Sequence, residues 1–198
     1  IMPIVINGSG TVSGLSVGGL PDGIVDTDML ANGAVTAVKK GAGSVLQVVS
    51  MTHDTHINKA NTSYEDLTGY TLDITPTAAN NKILIQASLC VSKTNNHSFL
   101  GEFQRDGTTL PGGDPDQSNF TGNVWWNVRS SDYASPIFTY VYLDTVPGSW
   151  SSGAITYKGR GMTTHASYGY GINCTNTDTN TQHNSPGAST ITLTEIAV

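Results

Sequence analysis

The sequence predicts an all-β protein, an antiparallel β-sandwich of jelly-roll-like type, preceded by a short extended or helical N-terminal segment. Only 12% of the 198 residues are charged, and Gly, Ser, Thr and Asn fill many polar positions. Thr, Val, Ile and Tyr recur along the chain, and β-branched and aromatic side chains pack well on a pleated sheet. Short apolar runs alternate with turn-forming Gly, Pro and Asn at the spacing of sandwich strands.

The N-terminal segment, residues 1–43, is dense in glycine and holds too few apolar residues to enclose a core. Within it, residues 26–40 are predicted to form a short helix, because Asp26 or Thr27 can cap its start and Gly41 can end it. Gly33 in its middle costs about 1 kcal/mol relative to Ala, so the helix is marginal alone. Its apolar stripe is therefore expected to pack against other subunits, and consists of Met29, Leu30, Ala34, Ala37 and Val38. The candidate anchoring residues of the segment are Met29, Leu30, Val35 and Val38.

The independent domain is predicted over residues 44–198, where the pattern becomes that of strands. In NKILIQASLCVSK, the consecutive residues Ile83 to Ile85 are all apolar, so both faces of the strand carry apolar side chains. This is typical of a strand at the centre of a sandwich. Asp106 and Gly107 in RDGTTL predict a tight hairpin with positive φ angles. A jelly roll and an immunoglobulin-like sandwich both suit this number of strands. The strand candidates are SVLQVVS, TGYTLDITP, NKILIQASLCVSK, SFLGEFQRDG, NVWWNVRS, SPIFTYVYLDTV, GAITYKGRG, ASYGYGINCT and STITLTEIAV.

Composition and motifs argue against several function classes. A net charge of −6 disfavours binding to nucleic acid, and no apolar run is long enough for membrane insertion. The opening residues lack a basic region before an apolar one, so no Sec signal is expected. No nucleophile motif, phosphate loop or paired carboxylates appear, and we expect no enzymatic activity and no cofactor.

Histidine and cysteine spacing predicts no metal site. His53 and His56 flank Asp54 without a third ligand nearby, and we expect them to be solvated loop residues. One histidine per subunit on a symmetry axis is a weaker alternative that would bind an ion. Cys90 and Cys174 lie in separate apolar stretches and are expected to be buried free thiols.

Aromatic residues are the candidates for a receptor-facing or subunit-interface surface. Trp125 and Trp126 are adjacent, so in a strand their side chains point to opposite faces of the sheet. Exposed aromatic rings beside Asn and Asp can stack on sugar rings, although core or interface packing is the commoner role. The candidates are Trp125, Trp126, Trp150, Tyr133 and Tyr168.

Several blocks of the sequence resemble tail-fibre and related virion structural proteins of tailed phages, particularly the cyanophage and marine phage type. The run INGSGTVSGLSVGGLPDGIVDTDMLANGAVTAVKKGAGSVLQVV is similar to the opening of such proteins. The blocks TGYTLDITPTAANNKILIQASLCVS, YLDTVPGSWSSGAITYKGRG and STITLTEIAV are similar to recurring parts of the fibre head domain.

This resemblance implies a non-enzymatic, homotrimeric virion component assembled in the host cytoplasm. Residues 1–43 would anchor it to other virion proteins of the tail, baseplate or capsid, and the β head would bind host surface polysaccharide. The chain differs from many fibres in having no long shaft between anchor and head. A capsid decoration or cement protein is therefore the main alternative, and a secreted lectin or glycan hydrolase is a third.

Overall fold

The structure is a computed structural model with two compact units, Ile1–Lys40 and Gly41–Val198. Its described residues are 5–6, 12–13, 34–35, 39–93, 98–112, 126–128, 135–145, 153–175 and 187–198. In the first unit, β1 pairs antiparallel with β2, with Val5 opposite Ser13. The strands are β1 (Val5–Ile6), β2 (Val12–Ser13), β3 (Val45–His53), β4 (Ile57–Lys59), β5 (Glu65–Ile74), β6 (Lys82–Lys93), β7 (Phe99–Arg105), β8 (Thr108–Thr109), β9 (Trp126–Val128), β10 (Ile137–Asp144), β11 (Ile155–Thr163), β12 (Tyr170–Ile172) and β13 (Ser189–Ile196).

The second unit consists of two antiparallel sheets. Sheet one has the strand order β3-β13-β6-β10, and the short strands β4 and β12 continue it beyond the ends of β3 and β13. Sheet two has the order β5-β11-β7, and the far edge of β7 pairs with β8 near one end and with β9 near the other. All pairings among the described strands are antiparallel.

The chain order of these strands makes the fold a jelly roll. Strands β3, β6, β10 and β13 lie in sheet one, while β5, β7, β9 and β11 lie in sheet two. The chain therefore crosses between the sheets repeatedly, and its first and last long strands, β3 and β13, pair directly. Two sheets of four such strands are the double Greek key arrangement. The predicted all-β, jelly-roll-like sandwich is confirmed.

Strand alternation explains how the two sheets share one core. In β6, β11 and β13, every second side chain points inward, so that the sheets bury a common apolar layer. The predicted central position of β6 is confirmed, since it pairs with β13 and β12 on one edge and with β10 on the other. The largest fully buried side chains are Tyr70, Tyr157, Tyr170, Phe99, Phe103, Leu67, Ile74, Ile83, Ile85, Leu89 and Ile155.

Glycines in β11 make room for the aromatic rings of that layer. A Cβ atom at Gly159 would lie 2.6 Å from Cδ1 of Tyr70, and one at Gly161 would overlap the ring of Phe99. Gly69, with a φ of 80°, lies where the pairing of β5 with β11 becomes irregular, so Leu67 and Tyr70 both point inward. The aromatic rings fill the space that larger side chains at these two positions of β11 would occupy.

The predicted hairpin is confirmed, while the predicted helix is not described. Asp106 and Gly107 have φ angles of 45° and 80° and connect β7 to β8. The segment 26–40 lies outside the described residues, apart from positions 34, 35, 39 and 40, and so do Met29, Leu30 and Val38. Val35 is described and exposed. No helix in the described part of the chain is long and apolar enough to span a membrane.

Candidate interaction surface

The outer face of sheet one carries three rows of side chains that contain no charged residue. Each row takes one residue from β3, β13, β6 and β10, in that order, as the strand registers place them side by side. We call these rows the uncharged face. They are Val48, Thr194, Leu84 and Leu143; Ser50, Thr192, Gln86 and Val141; and Thr52, Thr190, Ser88 and Thr139.

Exposed aliphatic side chains lie on the two outer strands of this face, either within the rows or next to them. The exposed fractions are 53% for Val45 and 56% for Val48 on β3, and 61%, 65% and 39% for Ile137, Val141 and Leu143 on β10. In the described part of the second unit, these five and the terminal Val198 are the exposed large aliphatic residues. An antiparallel sheet that faces water normally alternates apolar inward and polar outward residues. The two outer strands of sheet one break that rule.

The outer face of sheet two has the opposite character, because ion pairs cover it. Asp66 accepts from Lys158 at 2.7 Å and lies 3.2 Å from Nε of Arg160, and Arg160 also pairs with Glu102 at 2.7 Å. Burial raises the pKa of Tyr64 to about 12, with Glu102 adding to the shift and Arg160 opposing it. The ion pairs involving Asp66 lie on the exposed part of this face, on β5 and β11, whereas Glu102 on β7 is buried. The two outer faces therefore differ in kind.

Arg105 and Asp144 form a buried cluster at one end of the core. Nη1 of Arg105 donates to both carboxylate oxygens of Asp144, at 2.6 and 2.7 Å, and the hydroxyl of Tyr157 donates to the same carboxylate at 2.8 Å. Burial and the neighbouring carboxylate raise the pKa of Tyr157. These contacts join β7, β10 and β11, so the cluster ties sheet one to sheet two.

Glu195 is a second buried carboxylate, and its partners are neutral donors. It accepts hydrogen bonds from Nε2 of Gln47 at 2.6 Å, from the backbone N–H and hydroxyl of Thr77 at 2.6 and 2.9 Å, and from Nδ2 of Asn81 at 2.5 Å. Burial raises the pKa of this carboxyl, but these hydrogen bonds outweigh burial and hold the pKa below its usual value. They fix the loop before β6 to the last strand.

His53 is buried, so the prediction of a solvated loop residue is wrong for it, while His56 is exposed as expected. His53 ends β3 opposite Ser189, and its Nδ1 lies 2.7 Å from Nδ2 of Asn173. Asn173 has a φ of 59° and also accepts from the Ser189 hydroxyl at 2.6 Å. Asn173 therefore fills the junction where β12 ends and β13 begins.

Among the described residues, the remaining titratable groups form no cluster of metal ligands. Cys90 and Cys174 are buried and lie outside any disulfide, as predicted, and burial raises the pKa of the Cys90 thiol. Within the described ranges, no group of three or more His, Cys, Asp and Glu side chains is arranged to hold a metal ion. The carboxylates of Asp144 and Glu195 are occupied by fixed donors in the interior. These two carboxylates therefore contribute to the stability of the fold.

Most of the aromatic candidates fall where nothing is described. Trp125, Trp150 and Tyr133 lie outside the described residues, and of Trp126 only its place in β9 is described. Tyr168 is half-buried and packs on the ring of His165, with centroids 4.9 Å apart. The uncharged face contains none of these candidates. The signal for it was the absence of charge in SPIFTYVYL and in STITLT.

No protein-family model matches the sequence, and neither does any curated protein. Two solved structures are similar in part. The VP2 subviral particle of infectious bursal disease virus has a TM-score of 0.35 and 11% identity, over 77% of this chain and 37% of that one. The infectious bursal disease virus Gx strain structure has a TM-score of 0.35 and 12% identity, over 89% and 44%. This chain thus spans less than half the length of either of these proteins. Similarity at this level shows nothing about function.

Proposed function

We propose that this protein is a non-enzymatic structural subunit of a tailed-phage virion, of the short tail-fibre type. Residues 1–43 attach it to other virion proteins, and the jelly-roll unit is the head. The subunits form a homotrimer, and the head binds host surface polysaccharide. The sequence blocks that resemble phage fibre proteins motivate the proposal, and two features of the jelly-roll unit support it.

The uncharged face is the observation that carries the proposal. Exposed aliphatic residues on both outer strands of one sheet, with hydroxyl side chains between them, are poorly suited to permanent contact with water. Interface cores are depleted of charge in the same way. A surface of this kind is expected in a protein whose working state is an assembly with other protein chains.

The second supporting feature is the way the sheets are fixed together. Buried polar clusters around Asp144, Glu195 and Asn173 each join segments that are far apart in the sequence. Fully satisfied polar networks of this kind specify one rigid arrangement. A rigid head suits multivalent attachment, because several weak sites on one particle gain strength through effective concentration. Tyr168 and its neighbour His165 are the described candidates for glycan contact.

Immunogold labelling of intact virions with an antibody against residues 44–198 tests the proposal. We expect label at the tail or baseplate. Label spread over the capsid would instead make the protein a decoration protein and would remove the receptor-binding part. Particles without label, when the same antibody recognises the protein in dissociated virions, would also contradict an exposed fibre head.

Receptor binding has its own test. Purified full-length protein is expected to slow adsorption of the phage to host cells, because it would occupy the same surface polysaccharide. Bovine serum albumin at equal mass provides the control for nonspecific coating. Unchanged adsorption at saturating protein would remove glycan binding from the proposal and leave its structural part intact.

A further inference from the structure

We infer that copies of this chain associate through the uncharged face, with the face of each copy turned toward the same face of its neighbours. The partner is thus a second copy of the chain, and the contact surface is the outer side of β3, β13, β6 and β10. The inference rests on the proposed function only for the expected number of copies, which is three.

The first step is that the face is accessible and apolar at its margins. Val141 is 65% exposed and Ile137 is 61% exposed on β10, and Val48 is 56% exposed on β3. These residues flank rows of Thr and Ser, and one hydroxyl pair within the rows is already ordered, since Oγ of Ser88 lies 2.8 Å from Oγ1 of Thr190. Covering such a surface buries no charge, and its hydroxyl groups can be hydrogen-bonded by the covering protein.

The second step is the choice of partner. A partner with a charged surface would bury its charges against these rows without an opposite charge to pair with. The nearest charged residue on the paired strands is Lys82, which lies opposite Ile196 at one end of the face. The outer face of sheet two cannot serve, since Asp66, Lys158 and Arg160 cover it with ion pairs. Among the surfaces described on the second unit, the uncharged face is matched in chemistry by the same face of another copy.

The third step is the area. Four strands about 4.8 Å apart, with about eight residues each at about 3.3 Å, give a face of about 500 Å² per copy. Two copies would bury about 1,000 Å², which is the lower limit for a stable biological interface. Three copies around one axis would share about 1,500 Å² among three pairwise contacts, so the area itself does not select three copies. The number three comes from the proposed function.

Sedimentation equilibrium of the full chain tests the inference. We expect a mass of three times 20.8 kDa for the natural protein. Val141→Asp places a carboxylate in the middle row and is expected to raise the dissociation constant at least about 100-fold. Thr71→Asp is the matched control, because Thr71 is also exposed in a strand but lies on sheet two opposite Lys158. The control is expected to remain trimeric.

Three results would overturn the inference: a natural protein that stays monomeric at about 100 µM, a folded Val141→Asp variant that assembles normally, or a Thr71→Asp control that dissociates equally. A monomeric natural protein would also remove the homotrimer from the proposed function. None of the three results would affect virion labelling, which tests separately whether the protein is an exposed part of the virion.

A conservative pair of variants settles the matter if Val141→Asp does not fold. Val141→Cys adds a thiol that is accessible in the single chain but covered in the assembly, whereas Thr71→Cys stays accessible in both. We expect the first to react with a bulky maleimide at least about tenfold more slowly than the second, and equally fast after dissociation by dilution. Equal rates in the assembled protein would overturn the inference.

Discussion

Replacing Glu195 with Gln removes one buried charge and keeps the shape of the side chain. In the natural protein, its two oxygens accept four hydrogen bonds from Gln47, Thr77 and Asn81. The new amide group must point at one of these donors, so at least one charge-assisted bond is lost and the others weaken. Hydrogen bonds to charged groups contribute about 1.5–3 kcal/mol, and we expect Glu195→Gln to lower the free energy of unfolding by about 2–3 kcal/mol.

The assay is thermal unfolding at one fixed protein concentration, measured from pH 7 to pH 3. At pH 7 the expected loss corresponds to a melting temperature lower by about 4–12 °C. The pKa of Glu195 is lowered by folding, so its contribution is complete above its unfolded pKa of about 4.3 and is lost as the pH falls through the folded pKa. The gap between the natural protein and the variant should therefore narrow below about pH 4.

Asp66→Asn is the matched control for a carboxylate in a surface ion pair. The Asp66 side chain is 55% exposed and pairs with Lys158, so its loss is expected to cost less than about 1 kcal/mol. A Glu195→Gln variant that melts within about 2 °C of the natural protein at pH 7 would refute the reasoning, because Glu195 would then contribute no more than a surface pair. So would a gap that stays constant down to pH 3.

Three further predictions concern buried residues. Asp144→Asn should lower the free energy of unfolding by about 3–5 kcal/mol in chemical denaturation, since it leaves the Arg105 guanidinium without its carboxylate; a loss below about 1 kcal/mol would contradict this. Asn173→Ala should cost about 2–4 kcal/mol and Asn173→Gly about 1 kcal/mol less, because glycine tolerates the φ of 59°. Cys90 and Cys174 should react with a thiol reagent only on unfolding, and reaction within minutes in the native protein would show that they are accessible.

Much of the fold could be predicted because it depends on local signals. Alternating β-branched residues between turns located the long strands, and Asp106 with Gly107 located a hairpin. Consecutive apolar residues, which lie on both faces of a strand, correctly predicted that β6 is central in its sheet. Three short strands, β1, β2 and β4, were missed, since strands of two or three residues have no period to detect.

The interaction surface could not be predicted because it depends on long-range register. Val48 and Val141 are far apart in the sequence, and they belong to one face only because β13 and β6 lie between their strands. His53 gave a similar error. Its burial depends on Asn173, which no local pattern connects to it. Nothing in the sequence near His53 distinguishes it from His56.

The most direct test of the proposed function is quantitative mass spectrometry of gradient-purified virions of the phage that is proposed to carry this protein. A structural subunit is expected at a copy number that is a multiple of three, that is constant between preparations and that withstands a high-salt wash. Absence of the chain from such particles, or a copy number that falls with each purification step, would contradict a structural role in the virion.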